Sequence, residues 1–156
     1  MPVSEDEFRR ALSCFASGVN VVTTIDAAGE LHGLTVSAFC SVSLSPPLVL
    51  ICIEKLTASH FAFRESGAFV VNILNDSQAD LSEHFATPFA DKFSVVSYRP
   101  GISGIPVLEN TLASLECRIK HDFDGGDHSI FVGEVESATV ADGSPLIYFQ
   151  SDYRKL

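Results

Sequence analysis

Between Val19 and Ile53 four apolar stretches follow one another with only short turns between them: Val19 to Ile25, Leu31 to Phe39, Cys40 to Leu44 and Leu48 to Ile53. None of the turns is long enough to hold a crossover helix, so βαβ units are excluded and the strands must pair antiparallel. The turns agree with this. Asp26-Ala27-Ala28-Gly29-Glu30 reads as a hairpin loop, and Pro46-Pro47 cannot sit inside a central ladder, so it must turn a corner. An antiparallel barrel or sandwich follows.

The flanking sequence adds short helices and more strands. Ser4-x-x-Glu7 is a capping box, and Phe8, Leu12 and Phe15 then recur at helical spacing, predicting a first helix that closes near Ser17-Gly18. Thr57 to Ser66, stopped by Gly67, predicts a second helix, and Ala68 to Leu74 a strand. Asp76 or Ser77 is expected to cap a third helix carrying Leu81 and Phe85, ended by Thr87-Pro88. Ala90 to Asn110 reads as a long loop spotted with apolar residues, of the kind used as lids or subunit contacts. Ala113, Leu115, Cys117 and Ile119 alternate with polar residues, predicting a half-buried strand. After the Asp124-Gly125-Gly126-Asp127 turn its partner runs from His128 to about Val140, and Leu146 to Phe149 is a last strand. With 156 residues and no linker or repeat, residues 1–156 are expected to form a single domain.

Composition narrows the function. The chain is 46% apolar with twelve Phe, which excludes disorder. A net charge of −10 without a basic cluster argues for no nucleic acid and no membrane surface as partner. No apolar run is long enough to span a bilayer, and Glu5, Asp6 and Glu7 stand where a signal peptide needs a basic region, so the expected location is cytoplasmic. Cys14, Cys40, Cys52 and Cys117 lie in apolar contexts without CxxC spacing and read as small buried hydrophobes, with no metal site expected. A GxGxxG fingerprint, a Walker loop and HExxH are all absent from the sequence.

The candidate site lies between Gly33 and Ser59. Small and hydroxylated residues (Thr35, Val36, Ser37, Ala38) leave room for a flat ligand against backbone, and Ser41 and Ser43 continue the hydroxyl series. The same alternation also suits a strand with one wet face. Glu54-Lys55-Leu56-Thr57-Ala58-Ser59 offers a cation, hydroxyls and free amides suited to a phosphate, although Thr57 and Ser59 can equally be capping a helix. His128 is either an exposed hairpin residue or a contact at a pocket mouth. Tyr153-Arg154 is either a frayed tail or a ring and cation capping a site. His60 and His84 read as surface or interface residues, and His32 as loop-exposed.

Taken in order, these segments resemble the flavin reductase-like family. The matching pieces are Phe8-Arg9-Arg10-Ala11-Leu12 with Phe15-Ala16-Ser17-Gly18-Val19, Gly33-Leu34-Thr35-Val36-Ser37-Ala38-Phe39, Ser41-x-Ser43-x-x-Pro46-Pro47, and Ser66-Gly67-x-Phe69-x-Val71-Asn72. Ile105-Pro106-Val107-Leu108-Glu109, Gly126-Asp127-His128 through Val135, and Pro145-Leu146-x-Tyr148-Phe149 with Tyr153-Arg154 complete the set. The resemblance implies a mainly β, six-stranded antiparallel Greek-key split barrel that binds FMN, with flanking short helices, working as a homodimer. It implies NAD(P)H-dependent reduction of free FMN or FAD, with NADH or NADPH as hydride donor and a flavin-dependent monooxygenase receiving the reduced flavin. The alternative on the same barrel is a pyridoxamine-phosphate-oxidase-like flavin- or haem-binding protein without reductase turnover. By the same resemblance Thr35, Val36, Ser37 and Ala38 line the isoalloxazine, and Ser41 and Ser43 reach the ring edge or ribityl chain. Glu54, Lys55, Thr57, Ala58 and Ser59 surround the phosphate, Lys92 and Phe93 lie near the phosphate or the ring, and His128, Tyr153 and Arg154 face the nicotinamide, His128 as the catalytic candidate.

Overall fold

A computed structural model describes residues 2–88 and 91–156. Its elements run α1 (Glu5–Ser13), β1 (Ser17–Gly18), β2 (Asn20–Ile25), β3 (Leu31–Val36), β4 (Phe39–Ser43), β5 (Leu48–Glu54), α2 (His60–Ser66), β6 (Ala68–Ile73), α3 (Ala79–Ala86), β7 (Tyr98–Pro100), β8 (Pro106–Leu108), β9 (Ala113–Gly125), β10 (His128–Val140), β11 (Ile147–Phe149) and β12 (Asp152–Arg154). Seven strands form one antiparallel sheet in the order β3-β2-β6-β9-β10-β5-β4.

That order rolls the sheet. Its two edges, β3 and β4, are consecutive in the chain and joined only by Ser37-Ala38. Two linking residues reach about 10 Å at most, so the edges must come together although no ladder between them forms among the described residues. The backbone amide of Cys52 in β5 donates to the Ala38 carbonyl at 3.1 Å, beside the seam. The result is an antiparallel roll with an open seam, mainly β as expected. The main sheet has seven strands where the resemblance implied six.

Inside the roll Val22, Val36, Ile51, Ile53, Phe69, Val71, Cys117 and Phe131 form the core, and Phe63 of α2 stacks on Phe131 at 5.7 Å. Outside it, Phe85 of α3 packs with Val21, Leu74, Phe93 and Leu146. A third cluster joins Ala68 and Val70 to Ile105 and Val107. Strand β6 is therefore buried on both faces, which its apolar sequence AFVV allows. Its one amide, Asn72, is satisfied by the Val21 carbonyl and the Leu108 amide, both at 2.9 Å.

Several local expectations need correction. Helix α1 ends at Ser13 with Cys14 as cap, four residues early, because Ser17-Gly18 pairs with β11 as a strand. Helix α2 begins at His60, and Thr57-Ala58-Ser59 form a turn before it. Neither Asp76 nor Ser77 caps α3; the cap position is Gln78, and Asn75 takes the Ser77 amide instead. The start of the expected loop, Ala90, lies outside the described residues. Further along, the 93–110 segment is no simple lid: β7 and β8 form a hairpin, and Ile105, Val107 and Leu108 are buried. This segment lies against Glu116 on the polar side of β9 and buries it, and Ser114 is buried as well, its hydroxyl 2.5 Å from that of Thr139 in β10. The Glu116 carboxylate accepts the Ile102 amide at 2.7 Å and lies 3.7 Å from Arg99. Only Cys117 is a buried cysteine; Cys14 and Cys40 are exposed and Cys52 is half-buried.

Candidate functional site

Strand β3 places its side chains alternately, so inward Val36 joins the core while Thr35 and Ser37 point outward. Two cavities adjoin that outer edge. The larger, about 750 Å³, is lined by Leu34 and Thr35 of β3, Leu56 to Ser59, Phe85, Ala86, Pro88 and Lys92. The second, about 580 Å³, opens at the seam between Ser37, Ala38, Phe39, Cys40, Leu50 and Cys52 on one side and Leu12, Phe15, Tyr148 and Ser151 on the other. The step from Thr35 to Ser37 connects them.

Helix α3 forms one wall of the larger cavity, and Gly33 lets it approach: a Cβ there would sit 2.7 Å from the Phe85 ring. The Thr35 hydroxyl donates to the Ser82 carbonyl at 2.5 Å, and Lys92 Nζ donates to the Gly33 and Phe85 carbonyls at 3.1 and 2.9 Å. Burial pushes the Lys92 ammonium below its ordinary range. On the opposite wall the Thr57 amide is used by Glu54 and the Thr57 carbonyl by His60, whereas the amides of Ala58 and Ser59 meet no acceptor among the described residues. Two free amides beside hydroxyls and one partly buried cation suit an anionic oxygen group. The seam groove, by contrast, has a floor of small and apolar residues, which suits a flat ring.

The expected site residues divide among places. Thr35, Thr57, Ala58, Ser59 and Lys92 meet in the larger cavity, and Ser37 and Ala38 in the seam groove. Phe93 stands behind Lys92, packed edge-on against Phe85 at 5.3 Å. Val36 offers the site no side chain, and its carbonyl accepts Asn20 Nδ2 at 3.1 Å. Ser41 and Ser43 lie further along β4, lining neither cavity. Glu54 is exposed opposite His128 in the β5–β10 ladder. Lys55 turns away from the larger cavity: its ammonium contacts the Asp124 carboxylate and the Gly126 carbonyl, the latter at 2.6 Å. His128 Nδ1 lies 2.7 Å from Asp127 Oδ1, and that bond holds the Asp127 carboxyl below its usual range. Tyr153 is no frayed residue, since its hydroxyl meets Ser82 Oγ at 2.8 Å and its ring lies 5.5 Å from Tyr148. Arg154 stacks over Phe149 at 5.8 Å.

Two histidines are not where the sequence put them. His60 is buried, with Nε2 2.8 Å from Ser129 Oγ, because α2 lies against β10. His32 is on β3 and half-buried, held between Asp26 and Ser59. Sequence reasoning missed this trio, although Asp26 and His32 flank one hairpin loop and a short loop brings such residues face to face.

Fold and site together define a ligand-binding antiparallel split barrel whose pocket runs from an anion-friendly turn to an apolar seam. The chain belongs to the flavin reductase-like family: the family profile described as "Flavin reductase like domain" matches residues 12–156. The reductase component of 4-nitrophenol 4-monooxygenase/4-nitrocatechol 2-monooxygenase from Rhodococcus opacus is 41% identical over 152 residues, 97% of this chain and 81% of that protein. The flavin reductase (NADH) of Kitasatospora aureofaciens is 40% identical over 161 residues, 98% of this chain and 82% of its own length. Among solved structures, the NADH:FAD oxidoreductase SgcE6 of Streptomyces globisporus C-1027, in complex with NAD and FAD fragments, superposes with a TM-score of 0.92 at 36% identity, covering all of this chain and 96% of that one.

Proposed function

We propose that this chain is an NAD(P)H:flavin oxidoreductase that reduces free FMN or FAD and passes the reduced flavin to a partner monooxygenase. One observation carries the reading: a strand edge of small residues, Thr35 to Ala38, runs from unpartnered amides at Ala58 and Ser59 to an apolar groove. Such a path fits a molecule with a phosphate at one end and a flat ring at the other. Hydride acceptance is the chemistry a flavin supplies when bound, so the chain need supply no acid–base pair. Its own residues do the holding and aiming. The Ala58 and Ser59 amides, with Thr57 and Lys92, hold the phosphate, while Thr35, Ser37 and Ala38 leave the ring room at the seam. Lys55 contributes by fixing the 124–127 hairpin, which carries His128 toward the nicotinamide side. Both cavities are open to solvent, as a site that releases its flavin requires.

The reading takes residues 1–156 as one domain and a second copy of the chain as partner. Phe8 and Leu12 of α1 and Phe15 just beyond it present an exposed apolar face, and no residue of the helix is buried. Val42 and Leu44 are exposed apolar residues on and just after β4. A homodimer covers such surfaces. Among the described residues no helix is long and apolar enough to cross a membrane.

The test is NADH and NADPH oxidation in air by the purified protein, with and without FMN, FAD or riboflavin. Oxidation that requires added FMN or FAD supports the reading and ranks the flavins. No oxidation with any flavin and either nucleotide overturns it in favour of a binding protein on the same barrel.

A further inference from the structure

Asp26, His32 and Ser59 form a hydrogen-bonded chain that ends at the larger cavity. Asp26 Oδ1 accepts the Ala28 and Glu30 amides at 2.9 and 3.0 Å, and Oδ2 lies 2.9 Å from His32 Nε2. The imidazole bond, first among the causes, holds the Asp26 carboxyl below its ordinary range, so it is a carboxylate with acceptor atoms only. His32 Nε2 must therefore carry a hydrogen. The other ring nitrogen, Nδ1, lies 3.0 Å from Ser59 Oγ.

Two states of one proton follow. When the imidazole is neutral, Nδ1 accepts the Ser59 hydroxyl hydrogen, and Ser59 turns only lone pairs toward the cavity. When the ring is protonated, Nδ1 donates to Ser59 Oγ and the hydroxyl hydrogen is released to point at a ligand oxygen. We propose that this relay makes binding of a phosphate group at Thr57–Ser59 proton-linked, each bound phosphate drawing a proton from solvent onto His32. His32 is thus a positioning residue acting through Ser59. The choice of a flavin phosphate as ligand rests on the reductase reading above.

The charged groups that face the ring are Asp26, at 2.9 Å, and Lys92 and Glu30, which line one small cavity of about 210 Å³ with it. From α2 the Phe61 ring meets His32 edge-on at 5.5 Å, and Glu65 is occupied by the Ala27 amide at 2.9 Å. A phosphate beside Ser59 adds the anion that tips the ring to imidazolium.

The experiment is calorimetric titration of the full chain with FAD, FMN and riboflavin, in buffers of different ionisation enthalpy, from about pH 6 to 9. The phosphates of FAD do not titrate in this range, so proton uptake with FAD reports the protein. The expected result is uptake with FAD and none with riboflavin. FAD affinity should weaken as pH rises across this range, with a slope approaching about tenfold per pH unit where one proton is taken up per FAD bound. His32→Gln and Ser59→Ala should each bind FAD without uptake and with a flat pH profile, which a merely structural role would not produce. Tight FAD binding by the wild-type protein without uptake overturns the relay and leaves the reductase standing. So does equal uptake with riboflavin, or uptake that survives in both variants. Absence of any flavin binding, together with absence of NAD(P)H oxidation, overturns both.

Discussion

Helices α1 and α3 are built on the same plan and meet opposite fates. Each is short with one apolar face. Phe85 of α3 is 1% exposed because Gly33 and Phe93 receive it, whereas Phe8, Leu12 and Phe15 of the α1 segment are 57, 52 and 76% exposed. Each also borders one of the two cavities, α3 the anion-friendly one and α1 the seam groove. In the homodimer proposed above, the difference would mean that one end of the site is completed within the chain and the other by a second copy.

The sharpest way to break the contrast is to remove the seat of α3. Phe85→Ala should cost about 3–5 kcal/mol of stability, read by denaturant unfolding, and flavin affinity should fall with it. Unchanged stability would mean that α3 is not what closes the larger cavity. Next in size, Ser37→Phe should raise the flavin Kd by about tenfold or more while leaving the melting temperature in place, because Ser37 is exposed at the groove. Normal flavin affinity in that variant would remove the ring from the seam.

On the α1 side, Phe8→Ser with Phe15→Ser should change the stability of a single chain by no more than about 0.5 kcal/mol. Its effect should appear in sedimentation, as a shift from dimer to monomer, and a dimer that persists would place the interface elsewhere. The smallest effect belongs to His128→Ala, which should raise the KM for the nicotinamide by about threefold and that for flavin less, a change of under 1 kcal/mol. The reverse order would move His128 off the nicotinamide side.

Local pattern made much of this readable in advance. The capping box Ser4–Glu7 forms as written, the antiparallel strands follow from their short turns, and Thr35, Ser37 and Ala38, with Thr57 to Ser59, line cavities, whereas Val36 turns into the core. What stayed hidden depends on contacts distant in sequence. Nothing local says that Leu31–Val36 and Phe39–Ser43 occupy opposite edges of one sheet, since strand order is decided by pairings such as Ala68 with Arg118. Glu116 looks like a solvent-facing residue until the 93–110 segment lies over it. Lys55 looks like the phosphate's cation until Asp124 draws it off, leaving Lys92, which the motif places only loosely. His32 and His60 look exposed because their partners, Asp26, Ser59 and Ser129, are matched in space and not by spacing.

The link of Ser37 and Ala38 between β3 and β4 also acts as a tether. It holds the two sheet edges at a high effective concentration for each other, and a flavin lying along the seam would find that gap already set. Lengthening the tether by a few glycines would cost little closure entropy, about 0.6 kcal/mol per doubling of loop length, so the strands would keep their ladders. The width of the gap would then no longer be dictated by the covalent chain. On the proposed reading, the reach of two residues would be the ruler against which the ligand is measured.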